Sequence, residues 1–336
     1  MAVGIRMVAA RAGVGVGTVS RVLNGAEGVR PSTRARVLSA VADLGYRPDP
    51  RARALALGRS HTVAAIVPFF THPSAVARMR GVVEALRNSG YDVVLCDVET
   101  AEGRARSFST LGAAERSDGL LLVSLRPTDA EVAHYAAARK PVVLVDCEHP
   151  ALRSVVIDDV AGGRLAAQHL LALEHERIAF LGDAPDPAGR FVAGARRRSG
   201  FTAALAAADR PVPPHAVVEL AEHTQAAARA AAERLLEAPD PPTAIFVAAD
   251  TLALGVLEAA AVTHTDVPGR LSVVGFDDLE VAGHVGLTTV RQPLHDSGRR
   301  GAELLLQALR GAPVPAGRTV LPLELVKRRT AARVGA

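Results

Sequence analysis

Thr18, Ser20 and Arg21 place two hydroxyls and a guanidinium within four residues of one another, just after the run Gly13-Val-Gly-Val-Gly17. Such hydroxyls donate to phosphate oxygens, and a guanidinium forks onto the O6 and N7 of a guanine, so the set suits a nucleic-acid duplex. The elements that must present it are legible on either side. Ala9 and Ala12 are small enough to let a first helix approach a second. Gly13 takes the positive φ of a tight turn, and Val14, Val19 and Val22 fill the crevice between the helices. The spacing predicts two short helices, the second ending in Arg21, with Val16, Gly17, Thr18, Ser20 and Arg21 outward. A helical hairpin in an ordinary core is the plainer alternative. The glycine run does not read as a dinucleotide loop, because no apolar strand precedes it.

Charge favours the duplex. Residues 1–60 hold ten arginines and no lysine against Glu27, Asp43 and Asp49, whereas the whole chain carries only +4. The positive field therefore belongs to the head, and the remainder is slightly acidic. That is an electrostatic footprint for a polyanion, with the steep salt dependence that counterion release brings.

A second device follows at 45–58. Asp49 suits an N-cap, Pro50 the first helical position and Gly58 the end. A helix over 50–57 has only about two turns and is marginal alone, so it is expected to fold fully when docked on DNA and paired with a second copy. Leu55 is an apolar residue among arginines. It reads either as packing on the body or as a wedge between base steps.

These residues together carry a resemblance. Ala12-Gly-Val14, Thr18-Val-Ser-Arg-Val-Leu-Asn24, Arg34, Arg36-Val-Leu38, Leu44-Gly-Tyr46, Pro48, and Ala52 with Leu55 resemble the LacI/GalR family of bacterial transcription regulators, and the likeness extends to about Thr330. It implies a helix-turn-helix head on a periplasmic-binding-protein-like body, and a homodimer on a palindromic double-stranded DNA operator. It also implies base-reading positions at Val16, Gly17 and Arg21, DNA contacts extending to Thr18, Ser20, Asn24 and Arg34, and Ala52 and Leu55 in the minor groove. Gly15 and Gly17 depart from the family pattern. A residue without a side chain reads no base, which leaves Val16 for a thymine methyl and Arg21 for guanine.

Beyond His61, short β-branched runs alternate with longer amphipathic stretches, the pattern of parallel sheets with crossover helices. Strands are expected at 62–67, 92–96, 119–123, 141–145 and 154–157. A second series follows at 177–181, 217–220, 244–247 and 271–274. Helices are expected at 162–173, 192–207, 224–237, 251–261 and 297–309. The fold class is thus an all-α head with a hinge helix (1–60) and an α/β body of two lobes (61–336). The resemblance places lobe 1 at about 61–160 and 291–320 and lobe 2 at about 161–290, with crossovers near 158–162, 287–293 and Val320.

Ligands of such lobes bind outside the carboxyl ends of the strands. By the family match, Arg197 and Asp277 form a ligand clamp facing across the hydroxyls of a small polar effector, a sugar or related metabolite. Their plainer alternatives are a solvated helix face and an inter-lobe structural hydrogen bond. Phe69, Phe70, His72 and Ser74 lie in the loop where family members line the pocket. Ala249 stands where an asparagine is common. With no tryptophan in the chain, stacking on a sugar face falls to Phe69, Phe70 or Phe191.

Other classes are poorly supported. No Gly-x-Ser-x-Gly elbow, His-Glu-x-x-His, Walker loop or Cys-x-x-Cys occurs, so neither an enzyme, a metal site nor a cofactor is expected. Cys96 and Cys147 read as free thiols in a reducing compartment. The amino terminus lacks a secretory apolar region and no run is long enough to span a membrane. A cytoplasmic protein is expected, not a soluble sugar-binding protein of transport, which would need export and has no use for an arginine-rich head.

Overall fold

Three helices make the amino-terminal unit: α1 (Ile5–Ala12), α2 (Val16–Leu23) and α3 (Pro31–Leu44). In this computed structural model, residues 3–46, 59–98, 103–104, 117–186, 188–189 and 191–335 are described. The chain divides into two units, Met1–Ser60 and His61–Ala336. Gly13 ends α1 at φ 63°, the left-handed turn the sequence requires. Val8, Val19 and Val37 are fully buried, one from each helix, with Ala9, Ala12, Val22 and Ala40 around them. Helix α2 runs two residues past Arg21, because Leu23 still packs on this core and Asn24 supplies the cap. The expected helix at 50–57, with Ala52 and Leu55, lies outside the described residues.

The second unit holds two six-stranded sheets. Its strands are β1 (Thr62–Val67), β2 (Asp92–Asp97), β3 (Gly119–Val123), β4 (Val142–Val145), β5 (Arg153–Val156), β6 (Ile178–Asp183), β7 (Val217–Leu220), β8 (Ala244–Val247), β9 (Ser272–Asp277), β10 (Thr288–Arg291), β11 (Gly317–Val320) and β12 (Glu324–Val326). Lobe 1 has the order β11-β5-β4-β3-β1-β2, and lobe 2 the order β12-β10-β9-β8-β6-β7. Every pairing is parallel except β10 with β12. The interior strands β3, β4, β8 and β9 are buried along their whole length, which is why they read as unbroken apolar runs.

Helices α4 (Pro73–Leu86), α5 (Asp129–Ala137) and α11 (Leu294–Leu309) belong to lobe 1. Helices α6 (Asp159–Ala172), α7 (Ala193–Ala206), α8 (Gln225–Leu236), α9 (Asp250–Val262) and α10 (Glu280–Val285) belong to lobe 2. The sequence reading had no helix at α4 or α5. The inner face of α4 carries Arg78 and Gly81 among Ala75, Val82 and Leu86, and these two interrupt its apolar stripe. Helix α6 begins three residues before the expected 162 because the Asp158 carboxylate accepts from Ala161 N–H at 2.9 Å and caps it. The chain passes between the lobes from β5 to α6, from β10 to α11, and from β11 to β12. Glycines let paired helices touch backbone to backbone. A Cβ on Gly163 of α6 would lie 1.9 Å from the Arg197 carbonyl of α7, and one on Gly200 of α7 would lie 1.9 Å from the Val160 carbonyl of α6.

Candidate functional site

On the head, α2 offers one outward face. Val16 is 40% exposed, Gly17 and Arg21 are exposed, and Thr18 and Ser20 are half-buried. Arg21 Nε donates to its own helix at Gly17 O, 3.3 Å away. Its guanidinium makes no ion pair among the described residues and remains a free cation at the helix end. Asn24 Nδ2 donates to Ser20 Oγ at 3.4 Å. Arg34 of α3 donates to the Ala26 carbonyl at 2.7 Å, so it braces the loop that follows α2.

In the body, the carboxyl ends of strands from both sheets converge on a cavity of about 130 Å³ lined by Ser74, Arg78, Asp146, Arg197, Asp277 and Gln292, among others. Arg78, from lobe 1, pairs with Asp146 at 2.8 Å and donates to Gln292 Oε1 at 3.0 Å. Gln292 Nε2 donates in turn to Asp277 at 2.5 Å. On the lobe 2 side, Arg197 Nε donates to Asp159 at 2.8 Å and its Nη1 to the Ala248 carbonyl at 2.8 Å, with the guanidinium 3.7 Å above the Phe276 ring. Arg197 is therefore a buried side chain, not a solvated helix face. It reaches Asp277 at 3.7 Å, too close for a solute to sit between them. Asp277 makes the structural hydrogen bond through Gln292 that was its plainer alternative.

Two guanidiniums here face three carboxyl groups. Burial pushes the carboxyls of Asp159 and Asp277 up from the usual range, more than Arg197 pulls them down. Burial opposes the Arg197 charge, but Asp159, Asp277 and Asp146 together outweigh it and hold its proton more tightly than usual. Arg78 Nε is buried with no hydrogen-bond partner. A neighbouring cavity of about 140 Å³ shares Ser124 and Asp146 with the first and reaches Asp183 and Phe191.

Aromatic rings close the cleft. His72 stacks on Phe69 at 5.2 Å within lobe 1 and on His223 of lobe 2 at 5.0 Å, while Phe69 lies 5.8 Å from Phe191. His223 is held by the Asp183 carboxylate at 2.9 Å and by Thr251 Oγ1 at 3.0 Å. Burial lowers the His72 pKa and the His223 ring lowers it further, against a smaller opposing pull from Asp183. Phe70 is 39% exposed and does not line the cavity, whereas Ser74 does. Phe69, Ser124, Asp146 and Asp277 all have positive φ, from 51° to 117°, which turns the chain inward at the ends of β1, β3, β4 and β9.

Sequence reasoning did not single out Arg78, Asp146, Asp159, Gln292 or His223 as ligand-site members, whereas His72, expected in the pocket-lining loop, does line the cavity. A signal existed for some. An acid at the carboxyl end of an apolar strand recurs at Asp146 and Asp183 as it does at Asp277, where such folds bind ligands. Of the nearby histidines, His175 is buried against Thr243 and Ser272 at 3.0 Å each. No cluster of three metal-binding side chains occurs among the described residues.

A three-helix duplex-reading head on a bilobed α/β body with a polar inter-lobe cleft defines a DNA-binding regulator of transcription. The chain belongs to the lacI family. Residues 4–49 match the bacterial regulatory proteins of the lacI family, and residues 167–331 match a periplasmic binding protein-like domain. It is 34% identical to the HTH-type transcriptional regulator CelR of Thermobifida fusca over 97% of each chain. A solved CelR–cellobiose complex superposes with a TM-score of 0.72 at 34% identity, covering 98% of this chain and 99% of that one. The lac repressor dimer bound to operator and the anti-inducer ONPF superposes at 0.85 with 29% identity, covering 99% and 100%. Its relatives are regulators and not enzymes. No helix among the described residues is long and apolar enough to cross a membrane.

Proposed function

We propose that this protein is a cytoplasmic repressor that binds a palindromic operator as a homodimer and is controlled by a neutral, hydroxyl-rich effector held between the lobes. The observation that carries the effector reading is the buried, unpaired Nε of Arg78, a donor at the cavity whose other nitrogen already ties Asp146 and Gln292 together. The ionised groups of the cleft are otherwise paired with one another, and the Ser74 hydroxyl has no partner among the described residues. A neutral solute thus disturbs the pairing least. The sugar bound by CelR supports this class.

Arg197 and Asp277 serve this site by holding its wall, Ser74 and Arg78 by contacting the solute, and Phe69 with Phe191 by covering it. Phe70 stands outside. On the head, Val16 and Arg21 read bases, while Thr18, Ser20 and Asn24 touch the backbone. Arg34 shapes the loop, and Ala52 and Leu55 enter the minor groove. Val76 and Val83 of α4 and Val94 and Leu95 of the edge strand β2 are exposed and form the apolar face of lobe 1 for a second copy.

Selection of bound duplexes from a randomised inverted repeat tests the reading. Arg21→Ala is expected to cost about 1–3 kcal/mol and to relax preference at one position per half-site. Uniform weakening across all sequences would make Arg21 a phosphate contact instead. A thermal-shift screen of neutral sugars and nucleosides identifies the effector, since a ligand at a hundredfold its Kd stabilises by about 2.7 kcal/mol.

A further inference from the structure

A cavity of about 350 Å³ lies between the lobes and shares no lining residue with the one that holds Arg197 and Asp277. Its wall carries three guanidiniums. Arg126 and Arg318 come from lobe 1, and Arg196 comes from α7 of lobe 2. The one carboxylate among the described residues of the wall, Glu148, pairs with Arg196 at 2.5 Å and with Arg318 at 3.1 Å. Arg126 makes no ion pair among the described residues. The described residues of the wall thus hold two positive charges in excess.

The fifth group is Ser154, 1% exposed. Its hydroxyl lines the cavity and has no hydrogen-bond partner among the described residues. Parallel pairing of β5 with β11 sets Ser154 directly beside Arg318, so both side chains leave the same face of the sheet. The Ser154 side chain, at the cavity and beside Arg318, sits where an oxygen held by Arg318 would lie.

We propose that this cavity is a second small-molecule site that takes a small dianion, of the phosphate or dicarboxylate type, independently of the effector cleft. Two excess charges match a dianion, guanidinium forks match the paired oxygens of phosphate and carboxylate, and the volume suits a small metabolite. Arg196 precedes Arg197 on α7. An anion that draws Arg126 and Arg318 of one lobe to Arg196 of the other therefore steadies the helix that walls the effector cleft.

The test is calorimetric titration of the full-length protein with inorganic phosphate and with succinate, against chloride at matched ionic strength. Saturable binding of either dianion is expected, and the tighter of the two identifies the acid group preferred. Arg126→Ala with Arg318→Ala, both at exposed positions, should weaken binding at least tenfold. Ser154→Ala should weaken it several-fold, and Glu148→Gln should tighten it by removing the competing carboxylate. The head is a second basic surface, and the double variant leaves it intact. Undiminished binding in that variant would place the anion on the head and overturn the proposal, as would no binding above chloride.

Discussion

Gly163→Ala sets two effects of opposite sign against each other on one helix. Helix propensity alone favours alanine by about 1 kcal/mol. The structure opposes it. The new Cβ would lie 1.9 Å from the Arg197 carbonyl oxygen, where ordinary contact begins at 3.4 Å, so α6 and α7 must separate by about 1.5 Å. Overpacking of this kind costs about 1–3 kcal/mol. The same displacement carries Arg197 away from Asp159 and the Ala248 carbonyl, both held at 2.8 Å, and a hydrogen bond to a charged group contributes about 1.5–3 kcal/mol. A net loss of about 3 kcal/mol follows. The assay is urea unfolding of the body followed by helical circular dichroism at fixed protein concentration. Gly194→Ala serves as the internal control, since nothing lies within 4 Å of a Cβ there, and it should be neutral or slightly stabilising. Equal midpoints for the two variants would refute the reasoning, because propensity would then outweigh contact.

Lowering the pH should loosen the cleft. The folded His72 holds its proton less tightly than the unfolded one, so stability present above the ordinary histidine value of about 6.5 is lost as pH falls below it and through the lower value of the folded state. Melting curves of wild type and His72→Gln between pH 7.5 and 5.5 should converge at the acid end. Asp250 is fully buried, and burial, with Asp277 and Asp278 adding to it, pushes its carboxyl up to about 8. Its contribution is complete below the ordinary carboxyl range and is lost as pH rises through 8, so Asp250→Asn should flatten stability between pH 6 and 8.5. Asp250→Leu leaves Leu279 N–H and the Thr289 hydroxyl unpaired and should cost about 2–4 kcal/mol in denaturant at pH 7. Burial raises the Cys147 thiol to about 12, so a disulfide reagent should leave it unlabelled until the body unfolds. Native labelling of Cys147 by mass spectrometry would contradict that.

Much of the fold was legible because its signals are local. The interior strands read as apolar runs, and β1, β3, β7 and β8 match the expected limits residue for residue. The head was legible because small residues, a turn glycine and three valines occupy one helical period. What escaped was carried by tertiary pairing. Arg78 is buried on α4 because Asp146 and Gln292, the latter more than two hundred residues away, neutralise and bind it. No window of sequence shows that company. Arg197 and Asp277 were singled out through the family resemblance. Asp159, which holds Arg197, lies on another helix, three residues ahead of the start at 162 that the sequence suggests.

The inward turns at the strand ends have a cost that the sensor must carry. Phe69, Ser124, Asp146 and Asp277 each hold a backbone shape that a side chain resists, at about 1 kcal/mol or more apiece. Selection for heat resistance alone should therefore drift toward glycine at Phe69, easing the main chain while stripping the cleft of a ring, whereas the buried partners of Asp146 and Asp277 hold those two carboxylates in place. Hardiness and perception draw on Phe69 in opposite directions, and the hardiest descendant of this protein would be a deaf one.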